Sequence, residues 1–440
     1  MCVRLWLLIY SVVFLFSCSQ KTSSDVEQVR EFIRSSWDKT VRNNQEGDST
    51  LIGLPYPYTV PCINEGIQEM YYWDTYFTNE GMILDGHLDY AKNNVDNMLY
   101  MVDKFGKMLN GNRTFYLNRS QPPYLSMMVA RVYQENGDKK WLRKAYETLK
   151  KEYKFWMTER MSPVGLNHYD NSATQASVDS FLCVGSERLG TDFSKKGLTN
   201  EQLNLLGRNL LAECESGWDM NPRYEMRCLD FCPIDLNSNL YLYEKNFAYF
   251  TRELGIADSS KVWLDRAAQR KALLKKYCYN KADKLYYDYD YVNNRQSDVV
   301  SAAIFSLMYA KVVDQSEAND LVKALDKLEF EYGVSTCENR DYQYSYQWSY
   351  PNGWAPLQYL AVRGLDNYGF RNEAQRIAHK YVDMVTNTYK TTGHLWEKYN
   401  IRKGNADVRN EYEMPTMLGW SAGVYVYLAD YLDDGFKMKR

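Results

Sequence analysis

The chain has 440 residues, with 53 Lys and Arg against 56 Asp and Glu, a formal charge of −3. That balance leaves no electrostatic case for nucleic acid as a partner, while 45% apolar residues suffice for a sizeable core. Tyrosine occurs 39 times and Trp 11 times; most of these rings must fill interfaces between helices, yet rings with polar tips also suit sugars, which offer apolar C–H faces and many hydroxyls.

At the N-terminus, Arg4 precedes the apolar run Leu5–Phe16, which ends in Leu15-Phe-Ser-Cys18. The run is too short and too terminal for an ordinary membrane span and is expected to be a secretion signal. Leu15 and Ser17 before Cys18 fit a bacterial lipoprotein cleavage site, with Cys18 the lipidated first residue of an exported, periplasmic or cell-surface protein. Phe16 is bulky for such a site, so a plain signal peptide is the alternative. Residues 1–18 are therefore expected to be the signal, and 19–49 a tether and an amphipathic helix capped by Ser24, with Val26, Val29, Phe32, Ile33, Trp37 and Val41 as its stripe.

Nine cysteines leave seven after the signal, an odd and scattered set that makes a poor disulfide framework. Cys228 and Cys232 are expected either to pair or to be buried thiols. No Cys/His cluster has zinc-ligand spacing, and there are only four His, so neither a metal nor a cofactor is expected.

Helical periodicity runs through the rest of the chain. It predicts helices near 90–104, 123–135, 140–158, 201–214, 237–254, 260–277, 299–313, 317–328, 355–364, 371–386 and 419–432, with a short hairpin at 286–291. No low-complexity linker divides the chain after residue 50, and no fixed repeat supports a solenoid. About a dozen paired helices in one all-α domain, 50–440, fit an (α/α)6 barrel, a toroid around a central pocket.

Four segments, read as loops, place aromatics beside amides, carboxylates or Arg. They are Glu69–Phe77, Asn110–Pro123, Glu215–Arg223 and Gln347–Pro356. Such groups stack on a pyranose and bond its hydroxyls, and loops on a rigid scaffold are where such sites sit. In Glu215-Ser-Gly-Trp-Asp219 a carboxylate stands beside a Trp, as does Glu397 in Leu395-Trp-Glu-Lys-Tyr399. Taken alone, Glu215–Asp219 reads more readily as a helix-start acid with a packed Trp. Two carboxyls in aromatic surroundings are nonetheless the minimal equipment for breaking a glycosidic bond.

These segments together resemble the trehalase family of glycoside hydrolases. Tyr71–Phe77 and Gln347–Pro356 are similar to the two family signatures. Between and beyond them stand Asn118-Arg-Ser-Gln-Pro-Pro123, Glu215–Asp219, Pro233-Ile-Asp-Leu-Asn237 and Glu397-Lys-Tyr399 in the family's order. The resemblance implies an (α/α)6 barrel and hydrolysis with inversion, with Asp219 as general acid and Glu397 as general base. It implies that Trp73, Asp74, Asn110, Arg119, Ser120, Gln121 and Gly217 hold the substrate, with Trp348 and Trp354 walling the pocket and Glu411 a further pocket residue. Small saccharides, trehalose first among them, are the implied substrates. A different α-glucoside is the first alternative, and a catalytically silent sugar-binding lipoprotein, disfavoured by two intact acids, the second.

Three departures stand out. Gly66 replaces an Arg, Thr174 and Ala176 stand where the family has Arg and Glu, and Arg402–Arg409 replaces a glycine-rich run. The first two are binding positions expected to grip the leaving sugar, and loss of hydrogen-bonding partners for hydroxyls costs discrimination. Arg402 and Arg409 are the sequence candidates to substitute for them.

Overall fold

The computed structural model describes residues 24–433. Cys18 and its expected lipidation lie outside those residues. In chain order the helices are α1 (24–34), α2 (Tyr72–Leu84), α3 (Leu88–Phe105), α4 (Leu125–Asn136), α5 (Lys139–Glu159), α6 (Gln175–Arg188), α7 (Asn200–Glu215), α8 (Ile234–Glu253), α9 (Ala257–Cys278), α10 (Ile304–Tyr309), α11 (Gln315–Leu321), α12 (Leu325–Leu328), α13 (Ala355–Asn367), α14 (Arg371–Thr392) and α15 (Gly419–Asp433).

Their packing closes a ring. Helix α2 packs on α4, α4 on α8, α8 on α10, α10 on α13, α13 on α15, and α15 returns to α2. These inner helices are sheathed by α3, α5, α9 and α14, each packed on the inner helix next to it in sequence. Inner and outer helices differ in the sequences that make them. Helices α5 and α14 bury one stripe and expose the other, the pattern of a helix with one side in water. On α2 every residue from Tyr72 to Met82 is buried, and on α15 every residue from Gly419 to Ala429. Polar residues on α2 are satisfied inside the protein. Thr75 and Thr78 donate to the carbonyls of Tyr71 and Asp74, and Asn79 accepts from Asn94. Ends are set locally: the Asp138 carboxylate caps α5, and Thr199 with Gln202 forms a capping box on α7.

Helices α2 and α15 touch backbone to backbone through paired glycines. A Cβ on Gly423 would stand 2.1 Å from the carbonyl oxygen of Phe77, and one on Gly81 2.6 Å from the Cα of Gly423. Gly423→Ala is therefore expected to cost about 1–3 kcal/mol by overpacking the ring closure. Chemical denaturation checks this, and an unchanged midpoint would contradict so close an approach.

Helix α1 lies against α14, with Phe32 4.9 Å from Tyr389 and Lys390 paired with Asp25 at 2.5 Å. The structure also revises the sequence reading in places. Glu69–Phe77 is not a loop: from Tyr72 it is the first turn and a half of α2. The sequence reading holds no helix over α6, because it buries only Val178 and Gly185 and carries no clear apolar stripe. The helix expected over 299–313 shrinks to α10, because Ser301 bridges Cys337 and Val300 accepts from Glu338. No hairpin forms at 286–291: Leu285–Tyr286 pairs with Tyr279–Asn280, and Tyr289–Asp290 with Phe231–Cys232 and Arg295–Gln296. Cys228 and Cys232 are separate buried thiols.

Candidate active site

At one end of the ring a cavity of about 290 Å³ opens between the inner helices and the loops that join them. Its aromatic wall starts from a two-stranded ribbon. Asn352–Trp354 pairs antiparallel with Lys398–Asn400, placing Trp354 opposite Lys398 and bringing Glu397 to the strand's leading edge. Trp354 stacks face to face on Trp348 at 3.8 Å, and Trp348 on Trp218 at 5.5 Å. Trp420 of α15 meets Trp354 and Trp73 edge-on, each at 5.8 Å, and its indole N–H donates to the Glu397 carbonyl. Offset and edge-to-face contacts of this kind hold rings rigidly.

The segment Glu215–Asp219 leaves the end of α7 as a turn, and its two acids part company. Glu215 faces inward and is fully spoken for: Arg160 donates to both oxygens at 2.7 and 3.0 Å, with the backbone N–H groups of Ser120 and Asp170 at 2.7 and 2.8 Å. Burial alone would raise its pKa, but Arg160 and these donors hold it below the ordinary carboxylate value. Gly217 makes the turn at φ +73°, where a Cβ would come 2.9 Å from the Trp73 ring, so the backbone lies directly on the cavity wall. Asp219 then faces the cavity. Arg223 clamps the chain just beyond it, giving bidentate pairs to Asp235 and Asp288 with its guanidinium 4.3 Å from the Trp218 ring.

The cavity's two carboxylates have different companions. Arg188 Nη1 donates to Asp219 Oδ2 at 2.7 Å. Glu397 takes Lys398 Nζ at 2.6 Å on one oxygen and the Tyr412 hydroxyl at 2.8 Å on the other. Arg188 and Lys398 both lie over the Tyr412 ring, at 5.3 and 4.8 Å, so this ring links the two charged centres. Burial, together with the charges of Glu397 and Asp219, pushes Asp74 up to about 8. A shift in this direction favours the neutral carboxyl, the form that can donate a hydrogen bond.

Ten of the twelve sequence-predicted residues line this cavity: Asp219, Glu397, Trp73, Asp74, Asn110, Arg119, Gln121, Gly217, Trp348 and Trp354. Ser120 and Glu411 stand behind the wall. Ser120 bonds the Met108 carbonyl at 2.6 Å, while Glu411 accepts from the backbone of Gln347 at 3.1 Å and Met220 at 3.4 Å. Burial and the charge of Asp219 push Glu411 up to about 8. The cavity also holds Tyr71, Tyr116, Phe181, Arg188, Tyr412 and Trp420, which sequence reasoning did not single out. Tyr412 adjoins the Glu411 that was named, but Phe181 and Arg188 sit on α6, outside every recognised motif. Of the departures, Gly66 and Ala176 are exposed, and Thr174 caps α6 by accepting from Ser177 N at 3.3 Å. Arg402 pairs with Glu331 at the surface, and neither it nor Arg409 lines the cavity.

An (α/α)6 ring that gathers two carboxylates and a wall of indoles at one mouth has the architecture of a glycoside hydrolase. Sequence comparison bears this out: the model of the family described as Trehalase matches residues 13–433. The chain belongs to the trehalase family. It is similar to the periplasmic trehalase of Salmonella choleraesuis, 31% identical over 427 residues, covering 92% of this chain and 74% of the relative. Among solved structures it is similar to the neutral trehalase of Saccharomyces cerevisiae, with a TM-score of 0.74, 28% identity and coverage of 92% and 80%. The fold alone is shared with a mannosylglycerate hydrolase from Thermus thermophilus, with a TM-score of 0.62 at 15% identity, over 91% of this chain and 100% of that one. The protein is an enzyme, a glycosidase of the trehalase type.

Proposed function

We propose that the enzyme hydrolyses α,α-trehalose to two molecules of glucose with inversion, Asp219 acting as general acid and Glu397 as general base. The observation that carries this reading is that both carboxylates reach one aromatic-walled cavity while each keeps its own cationic partner. Glu397 takes a proton from a water as its oxygen attacks the anomeric carbon. Asp219 delivers a proton to the glycosidic oxygen as that bond breaks on the opposite face, so one water is added overall. Lys398 and Tyr412 fix the Glu397 carboxylate for its partner water. Trp348 and Trp354 give the retained glucose an apolar floor, and Asp74, Asn110, Arg119 and Gln121 offer donors and acceptors for its hydroxyls.

The catalytic domain is read as residues 50–440, preceded by a signal over 1–18 and a tether with α1 over 19–49. The signal-like N-terminus and the periplasmic trehalase among the relatives support export to the periplasm, with Cys18 as lipid attachment to a membrane surface.

Incubating the purified protein with trehalose and a panel of α-glucosides tests the reading. Two glucose molecules per trehalose consumed is the expected result. Turnover of another α-glucoside without turnover of trehalose would move the assignment to a trehalase-like glycosidase with a different leaving group, the second reading that Gly66, Thr174 and Ala176 favour.

A further inference from the structure

The positions expected to grip the leaving sugar carry Gly66, Thr174 and Ala176, and none of them lines the cavity. A guanidinium reaches it all the same, from the far end of the helix that Thr174 caps. Arg188 is the last residue of α6, and Phe181, seven positions earlier and so on the same face, reaches the same cavity. We infer that Arg188 and Phe181 form the subsite for the leaving group and select a polyhydroxylated ring there, replacing the binding groups that this chain lacks.

Three observations carry this inference, which rests on the acid and base roles proposed above. First, the general acid must meet the glycosidic oxygen, and Arg188 Nη1 stands 2.7 Å from Asp219 Oδ2. A guanidinium one hydrogen bond from the acid is within reach of hydroxyls next to the departing oxygen. Second, the retained sugar is accounted for by the Trp348–Trp354 stack and Glu397, whereas α6 packs on α7 and buries only Val178 and Gly185 among its residues. Arg188 and Phe181 therefore belong to the solvent-side mouth, where a leaving group departs. Third, the chemistry fits a sugar ring. The planar Arg fork presents paired N–H donors to two vicinal hydroxyls, and the Phe181 ring, with the Arg119 guanidinium 5.9 Å from its centre, offers a face for C–H groups. Exchange of the Arg188–Asp219 bond for bonds to these hydroxyls also frees Asp219 to turn to the glycosidic oxygen.

The test compares two substrates with the same retained glucose. Trehalose, or whichever α-linked disaccharide the wild type cleaves, has a sugar to bind in this subsite. α-Glucosyl fluoride has only fluoride, which carries no hydroxyls and needs little protonation to leave. Arg188→Ala is expected to lower kcat/KM on the disaccharide by on the order of 100-fold, but on the fluoride by less than about tenfold. Arg188→Lys should recover little, because an ammonium lacks the fork, and Phe181→Ala should show the same substrate bias more weakly. Arg402→Ala should change neither rate. Equal losses on both substrates, or an undiminished rate on the disaccharide, would overturn the subsite. A wild type inactive on both substrates would instead overturn the proposed function.

Discussion

Asp219→Asn is expected to lower kcat by about 10²- to 10⁴-fold, equivalent to about 3–5 kcal/mol of transition-state stabilisation, while sugar affinity stays within a few-fold. An amide of nearly the same shape keeps Gly217 and the Trp218 stack in place but has no proton to give the departing oxygen. Glu397→Gln should match it, since an amide cannot accept the proton of the attacking water, and the Lys398 ammonium and Tyr412 hydroxyl that hold the carboxylate would be left facing a neutral group. Steady-state kinetics on the disaccharide, paired with calorimetric binding, separates the lost chemical step from lost recognition. Near-normal turnover in either variant would remove that residue from its role.

The second large effect is on stability. Arg223 is fully buried and pairs with two buried aspartates at once, Asp235 at the start of α8 and Asp288 between the short strands that follow α9. Arg223→Ala leaves both carboxylates in the interior without their cation, and breaking buried pairs in this way costs about 3–5 kcal/mol. That is a large share of the margin by which any domain is folded. Urea unfolding should show the midpoint falling steeply in the variant. Arg223→Lys should recover part of the loss only, because one ammonium cannot reproduce bidentate bonds to two carboxylates. An unchanged midpoint would mean that the clamp contributes nothing net.

How much of this was legible beforehand depended on where each residue stands relative to water. Outer helices such as α5 and α14 have one wet side, so their periodicity announced them to within a few residues at most ends. Helix α2 is buried around nearly its whole circumference and has no stripe to detect. Its Tyr-Tyr-Trp-Asp-Thr-Tyr-Phe sequence therefore read as an aromatic loop, although Trp73 and Asp74 do line the cavity. Helix α6 failed for the opposite reason: it buries too little to show a pattern, and with it Phe181 and Arg188 went unnoticed. Ser120 and Glu411 illustrate a third limit. Both belong to segments that build the cavity, but motif position does not say which way a side chain turns, and both point to backbone behind the wall. Glu215 and Asp219 make the same point four residues apart. One is consumed by Arg160 and backbone amides, and the other faces the cavity beside Arg188.

Inversion by a water activated at Glu397 is read from the anomers released in the first turnovers. NMR spectra recorded before mutarotation should show α- and β-glucose appearing in equal amounts from α,α-trehalose. The leaving glucose keeps its α configuration, and the attacked one emerges as β. α-Glucose alone in the first spectra would mean retention, and with it a mechanism in which Asp219 and Glu397 do not act as acid and base on opposite faces of the bond.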